Sequence, residues 1–101
     1  MAKYIYAIGR RKTSVASIRL FNDKGENSFN EKPFSKTYPH KADLEKVTSP
    51  LRVADLSEKE FYFTSKASGG GRESQLEAMR MAMARAIVKM SPEKKKALKD
   101  A

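Results

Sequence analysis

Glu60–Met90, EFYFTSKASGGGRESQLEAMRMAMARAIVKM, changes its hydrophobic period halfway along, and that change sets the fold class. Over Glu60–Ala67, Phe61 and Phe63 alternate with Tyr62 and Thr64, the period-two pattern of a half-buried strand whose phenyl rings enter a core. Ser68-Gly69-Gly70-Gly71 ends it. From Glu73 to Met90 the apolar positions Leu76, Met79, Met83, Ile87 and Met90 fall three or four residues apart, the seam of an amphipathic helix. A methionine stripe at that spacing reads as adaptable core packing. The stretch thus reads as a strand followed by a long helix, and no internal repeat is visible along the chain.

Working toward the N-terminus, Lys3–Ile8 and Thr13–Phe21 are rich in tyrosine and β-branched residues, with Ala16, Ile18 and Leu20 on one side of the second strand. Gly9-Arg10-Arg11-Lys12 reads as the connection between them. Asn22-Asp23-Lys24-Gly25 supplies turn chemistry before a short strand from about Glu26 to Asn30, so a three-stranded meander is expected. Pro33–Tyr38 fits one helical turn. Pro39 suits the first position of a second helix carrying Ala42, Leu44 and Val47, which is expected to stop at Ser49 before Pro50. Ser91, Pro92 and Glu93 form a helix start for a last, lysine-rich segment. With 101 residues and 40% hydrophobic content, residues 1–101 are read as one domain.

The net charge of +9 is unevenly placed. Residues 1–22 carry five basic side chains and no acidic one, residues 66–101 carry nine against four, and residues 23–65 sum to −1. Positive charge gathered at both ends of a chain predicts a polyanion-binding face. No cysteine is present, which removes disulfides and thiolate chemistry, and the single histidine, His40, has no partner at metal-ligand spacing. No metal, cofactor, catalytic constellation, membrane span or signal segment is expected, and a soluble cytoplasmic protein is.

Three stretches are candidate sites. In the first, Arg10, Arg11 and Lys12 present guanidinium and ammonium groups, and Thr13 and Ser14 follow with hydroxyls that suit backbone phosphates. The bland alternative is a solvated basic turn. In the second, Gly69, Gly70, Gly71 and Arg72 lead into a helix N-terminus, where free amides attract anions. The loop lacks the Gly-Lys-Ser/Thr ending of a P-loop and the spacing of a dinucleotide fingerprint, and a plain hinge explains three glycines equally well. In the third, Arg80, Arg85 and Lys89 lie on the outer side of the long helix, continued by Lys94, Lys95, Lys96 and Lys99, where ordinary solvated charge is the alternative.

Tyr6-Ala7-Ile8-Gly9-Arg10-Arg11-Lys12-Thr13-Ser14-Val15-Ala16 closely resembles the opening of the bacterial-type family of the ninth protein of the small ribosomal subunit. Gly25–Asn30, Thr37-Tyr38-Pro39 and Ser49-Pro50-Leu51 are similar to later steps of that family, in order. Gly69-Gly70-Gly71, Gln75, Ala78, Arg80 and Ala84-Arg85-Ala86 resemble its glycine loop and following helix. The resemblance implies a four-stranded α+β domain like the second domain of the fifth small-subunit protein, with a left-handed β-α-β crossover against the usual right-handed preference. It also implies a structural constituent of the small subunit in translation, binding 16S ribosomal RNA in the subunit head near the P site beside other head proteins. Arg10, Arg11, Lys12, Gly69, Gly70, Gly71, Arg80 and Arg85 would face that RNA.

This sequence departs from the family pattern at Ser74 and Glu77, where glycines are usual, and at Met81, where histidine is usual. A carboxylate at Glu77 beside RNA is expected to turn away or meet a cation. The family's basic C-terminal tail, expected to be absent after Asp100-Ala101, is the part that reaches P-site transfer RNA, so that contact falls on no residue here. Two other readings compete: a nucleotide-binding enzyme of related fold using the glycine loop, and an RNA-binding protein outside the ribosome.

Overall fold

The computed structural model describes residues 4–56 and 60–95. The elements are β1 (Tyr4–Arg11), β2 (Ser14–Phe21), β3 (Ser28–Phe29), β4 (Lys32–Pro33), α1 (Phe34–Thr37), α2 (Lys41–Val53), β5 (Tyr62–Ser68) and α3 (Arg72–Met90). A 3-10 turn at Pro92–Lys94 follows, and the expected continuation through Lys96 and Lys99 lies outside the described residues.

The strands form one five-stranded sheet in the order β1-β2-β5-β3-β4, so the expected count of four is corrected to five. The extra strand, β4, is two residues long and closes a tight hairpin on β3. Asn30 and Glu31 make that turn at φ 50° and 70°, the left-handed pair that a two-residue hairpin demands. The expected meander is also corrected. β5 inserts between β2 and β3, antiparallel to β2 from Val15↔Ser68 to Phe21↔Tyr62, and parallel to β3 at Ser28↔Thr64 and Phe29↔Ser65. Two asparagines lengthen the brief β3 pairing. Asn27 Oδ1 accepts from the Phe63 amide at 3.1 Å and Asn30 Oδ1 from the Ala67 amide at 3.0 Å, each standing in for a ladder bond.

Gly9, Arg10 and Arg11, expected in the connection, belong to the end of β1, and only Lys12 and Thr13 form the turn. Glycine is a turn signal in sequence, but here it serves packing. A Cβ on Gly9 would run into the carbonyl of Ala78 and the amide of Ala82 on α3, so its absence lets strand and helix backbones meet.

Helix α2 runs through Pro50 to Val53, correcting the expected stop at Ser49. Proline cannot donate to the Lys46 carbonyl four residues back. The Ser49 hydroxyl donates to that carbonyl at 2.9 Å instead, which keeps it satisfied and allows the helix to continue. The end is a Schellman arrangement: the Leu56 amide donates to the Leu51 carbonyl and the Asp55 amide to that of Arg52, with Asp55 left-handed at φ 61°.

All three helices pack on one face of the sheet. Ala7, Ala16, Ile18, Leu20 and Phe63 from the strands join Val47 and Leu51 of α2, and Leu76, Met79, Met83 and Ile87 of α3, in one core. Phe29, Phe34, Tyr38 and Phe63 close its far end with rings 5.2–6.5 Å apart. Met90, expected in the core, is half-buried at its margin. No helix among the described residues is long and apolar enough to cross a membrane.

Candidate nucleic-acid interface

The β1–β2 turn, the glycine loop and the start of α3 meet at one end of the molecule. Gly69 and Gly70 take φ 76° and 63°, and their missing side chains make room for the hairpin: a Cβ on Gly69 would strike the Thr13 carbonyl, and one on Gly70 the Ser14 hydroxyl. The Gly69 carbonyl accepts from Ser14 Oγ at 2.9 Å and from Gln75 Nε2 at 3.2 Å. Gln75 Oε1 in turn accepts from Tyr38 at 2.9 Å. Burial raises the Tyr38 phenol above its ordinary pKa, with Asp43 and Glu73 acting the same way against Arg72, so it stays a donor. Ser14 is fully buried, and its hydroxyl, expected at a phosphate, is committed to locking the loop to the hairpin. Thr13 beside it is exposed. Gly71 begins α3 with open space around its α-carbon.

Strand alternation separates the three adjacent cations. Arg11 lies on the helix side, where its Nε donates to Glu77 Oε2 of α3 at 2.7 Å. Arg10 is on the opposite, bare side of the sheet, and Lys12 occupies the turn at φ 56°. Glu77 thus meets a cation, and Lys46 of α2 lies 3.9 Å from its other oxygen. The hydrogen bond from Arg11 holds the Glu77 carboxyl below the ordinary glutamate range; slight desolvation opposes it, and the charges of Arg11, Lys46 and Lys12 reinforce it.

Along α3, Arg80 lies on the side toward α2, with Nε 3.3 Å from Ser49 Oγ. Arg85 is five residues on, about 140° round the axis, on the side toward β1. There Arg85 Nη1 donates to the Ile8 carbonyl at 2.8 Å and Lys89 Nζ to the Tyr6 carbonyl at 2.7 Å. Four helical residues rise about 6 Å and two strand residues about 6.6 Å, so the two side chains reach alternate carbonyls of the edge strand. Between these cationic shoulders runs a solvent strip of Ser74, Glu77, Met81, Ala84 and Val88.

Arg72, expected at a phosphate, pairs with Asp43 and lies over the Tyr38 ring at 4.9 Å from its centroid. The expected residues therefore group unequally. Arg11, Lys12, Arg80, Arg85 and Lys89 border one helix face, Arg72 is tied to α2, and Arg10 turns away. Sequence reading missed Lys46, whose bridge from α2 to Glu73 at 2.8 Å carries no local motif. It also missed that Arg10 diverges from Arg11, although strand alternation continued past Ile8 shows it. No group of three or more metal-ligating side chains comes together among the described residues.

A family model described as ribosomal protein S9/S16 matches residues 9–101. Among curated proteins, the chain is 37% identical over 95 residues to the small ribosomal subunit protein uS9 of Amoebophilus asiaticus, covering 94% of this chain and 73% of that protein. It is 38% identical to the uS9 of Gloeothece citriformis, over 93% of this chain and 69% of that one. With the uS9 of Porphyromonas gingivalis the identity is again 38%, over 95% and 74%.

Proposed function

The chain belongs to the ribosomal protein S9/S16 family, and from that premise we propose that it binds 16S ribosomal RNA in the head of the small subunit, near the P site and beside other head proteins. It is a structural constituent of the small ribosomal subunit in translation, not an enzyme. Its place is the cytoplasmic ribosome. Contact with P-site transfer RNA would come from the family's basic tail. The parallel β3–β5 pair, connected through α1 and α2, is the unit to which the left-handed crossover of the fifth small-subunit protein's second domain would apply.

The observation that carries the RNA reading is the cationic border of α3: Arg11, Arg80, Arg85 and Lys89 flank one solvent face, where Glu77 is held by Arg11 and Lys46. Phosphates approaching that face meet guanidinium groups on both shoulders. Lys12 and Thr13 extend it at the hairpin tip, while Ser14, Gly69 and Gly70 hold the tip against α3, with Gly71 and Arg72 at the helix start. Arg10 adds a cation around the strand edge.

The test is a titration with a 16S head-domain fragment over a salt series. The logarithm of the binding constant should fall against the logarithm of salt by about 0.7 to 0.9 per phosphate neutralised, and R11A/R80A/R85A should flatten that slope. Salt-independent binding, or a triple variant with the parental slope, defeats the proposal. Co-sedimentation with small subunits separates a ribosomal role from RNA binding elsewhere.

A further inference from the structure

All described helices lie on one face of the sheet, and the other face is bare. We infer that this bare face is a second RNA-binding surface, one that takes an unpaired strand, with a base stacked on Tyr6 and neighbouring phosphates on Arg19 and Lys66. The inference rests on the reading of the protein as an RNA binder and deepens it by assigning single-stranded RNA to a surface distinct from the border of α3.

The strand register builds the surface. Tyr6, Arg19, Thr64 and Ser28 form one row across β1, β2, β5 and β3, all pointing away from the core. Ser17 and Lys66 form the next row. Together they line a trough of about 430 Å³. Arg19 and Lys66 are diagonal neighbours, about 7–8 Å apart along the backbone.

At one end of this face the rings satisfy one another. Phe21 and Tyr62 stack at 4.5 Å and 4°, Tyr4 leans on Phe21 at 5.4 Å, and Arg19 covers Tyr4 at 5.2 Å. Tyr6 is different. It is 43% exposed, opens onto the trough, and has no ring stacked on it among the described residues. Its backbone is fixed, because Lys89 holds its carbonyl and β2 pairs its other side. A ring on an anchored backbone with a free face is a stacking platform for a base.

Charge and polarity select RNA over a protein partner. The outward residues of β1, β2 and β5 include Arg10, Arg19 and Lys66 and no acid; the exposed Ile8 and Val15 lie among these cations rather than forming a charge-free centre. One acid, Glu31 of the β3–β4 turn, also lines the trough and stands 3.8 Å from Lys66; both side chains are largely in solvent, so the pair is weak enough for a phosphate to displace the carboxylate. Hydroxyls of Ser17, Ser28 and Thr64 line the trough, donors and acceptors suited to base edges and the ribose 2′-hydroxyl. A protein interface centres instead on a core depleted of charge.

The experiment uses a ten-nucleotide single-stranded RNA and a duplex of the same length, titrated against the parent, Y6A, Y6F, K66A and R11A/R85A. Y6A should weaken single-strand binding by about tenfold and K66A by less, Y6F should retain it, and the duplex should bind all three like the parent. If Y6A and K66A bind the single strand unchanged while R11A/R85A weakens both RNAs, the bare face is not an RNA site and the α3 reading stands. If no variant weakens either RNA, both readings fail. Cross-linking of a 5-iodouridine oligonucleotide to the unmodified chain gives an answer independent of variant folding: attachment at Tyr6 supports the inference, and attachment confined to α3 overturns it. Loss by Y6A of association with another head protein, with RNA binding intact, also overturns it by assigning the face to protein.

Discussion

Arg11 at the end of β1 donates its Nε hydrogen to Glu77 on the second turn of α3 at 2.7 Å, tying the first strand to the last long helix across 66 positions of sequence. The pair is exposed, so its weight in stability is small, and its interest is electrostatic. Glu77 is the acid on the solvent strip of α3 and draws both Arg11 and Lys46 toward itself.

Replacement of Glu77 by glutamine should therefore free two cations and strengthen binding to a head-domain RNA fragment. Its effect on folding has a defined pH dependence. The Glu77 carboxyl lies below its ordinary pKa in the folded chain, so the unfolded chain binds the proton more readily. The stabilisation is complete above the ordinary glutamate pKa, and it is lost as pH falls through the depressed folded value. The melting temperature of the parent should exceed that of E77Q at pH 7, and the gap should close in acid. A gap that widens on acidification contradicts the ion pair.

The glycine loop gives a sharper contrast. Gly69→Ala and Gly70→Ala each place a methyl group against the hairpin at a left-handed φ, and each should cost about 1–3 kcal/mol in denaturant unfolding. Gly71→Ala has open space and φ −105°, so it meets no clash and should cost less than either, about 0.5–1 kcal/mol, through its place at the N-cap of α3. Equal costs at all three positions would mean that the loop does not pack on Thr13 and Ser14.

What the sequence made legible follows the range of the interactions involved. The alternation of Phe61 and Phe63 and the stripe from Leu76 to Ile87 are local patterns, and β5 and α3 lie where those patterns put them. The insertion of β5 between β2 and β3 depends on side chains such as Asn27 and Asn30 meeting Phe63 and Ala67 some 36 or 37 positions away, which no local period encodes. Gly9 misleads for a related reason: its partners, Ala78 and Ala82, are on another element, so its sequence context reads only as a turn. The basic face was legible as charge but not as geometry, because the division between Arg10 and Arg11 depends on how far β1 extends.

Ser49 and Pro50 allow a double-variant test of helix α2. Ser49→Ala leaves the Lys46 carbonyl without its donor and should cost about 1 kcal/mol. Adding Pro50→Ala restores a backbone N–H that reaches the same carbonyl, so the loss in S49A/P50A should be smaller than the sum of the losses of S49A and P50A, each of which also gives up packing or a bond of its own. Additive losses in the pair would show that the Ser49 hydroxyl is not the substitute donor.

Arg85 and Lys89 have two tasks that one substitution pair can separate. Their bonds to the Ile8 and Tyr6 carbonyls cover the free edge of β1, where an uncovered strand would invite pairing with another chain. Their charges also face solvent where phosphates are proposed to bind. In R85Q/K89Q the shortened amides keep polar character and lose the charge. Because both side chains are exposed, unfolding in urea should shift by less than about 1 kcal/mol for each. The salt dependence of RNA binding should nevertheless lose about 0.7 to 0.9 in log-log slope for every phosphate contact removed. Should the variant self-associate while keeping the parental slope, measured by sedimentation and by titration, then the two side chains guard the strand edge and take no part in RNA binding.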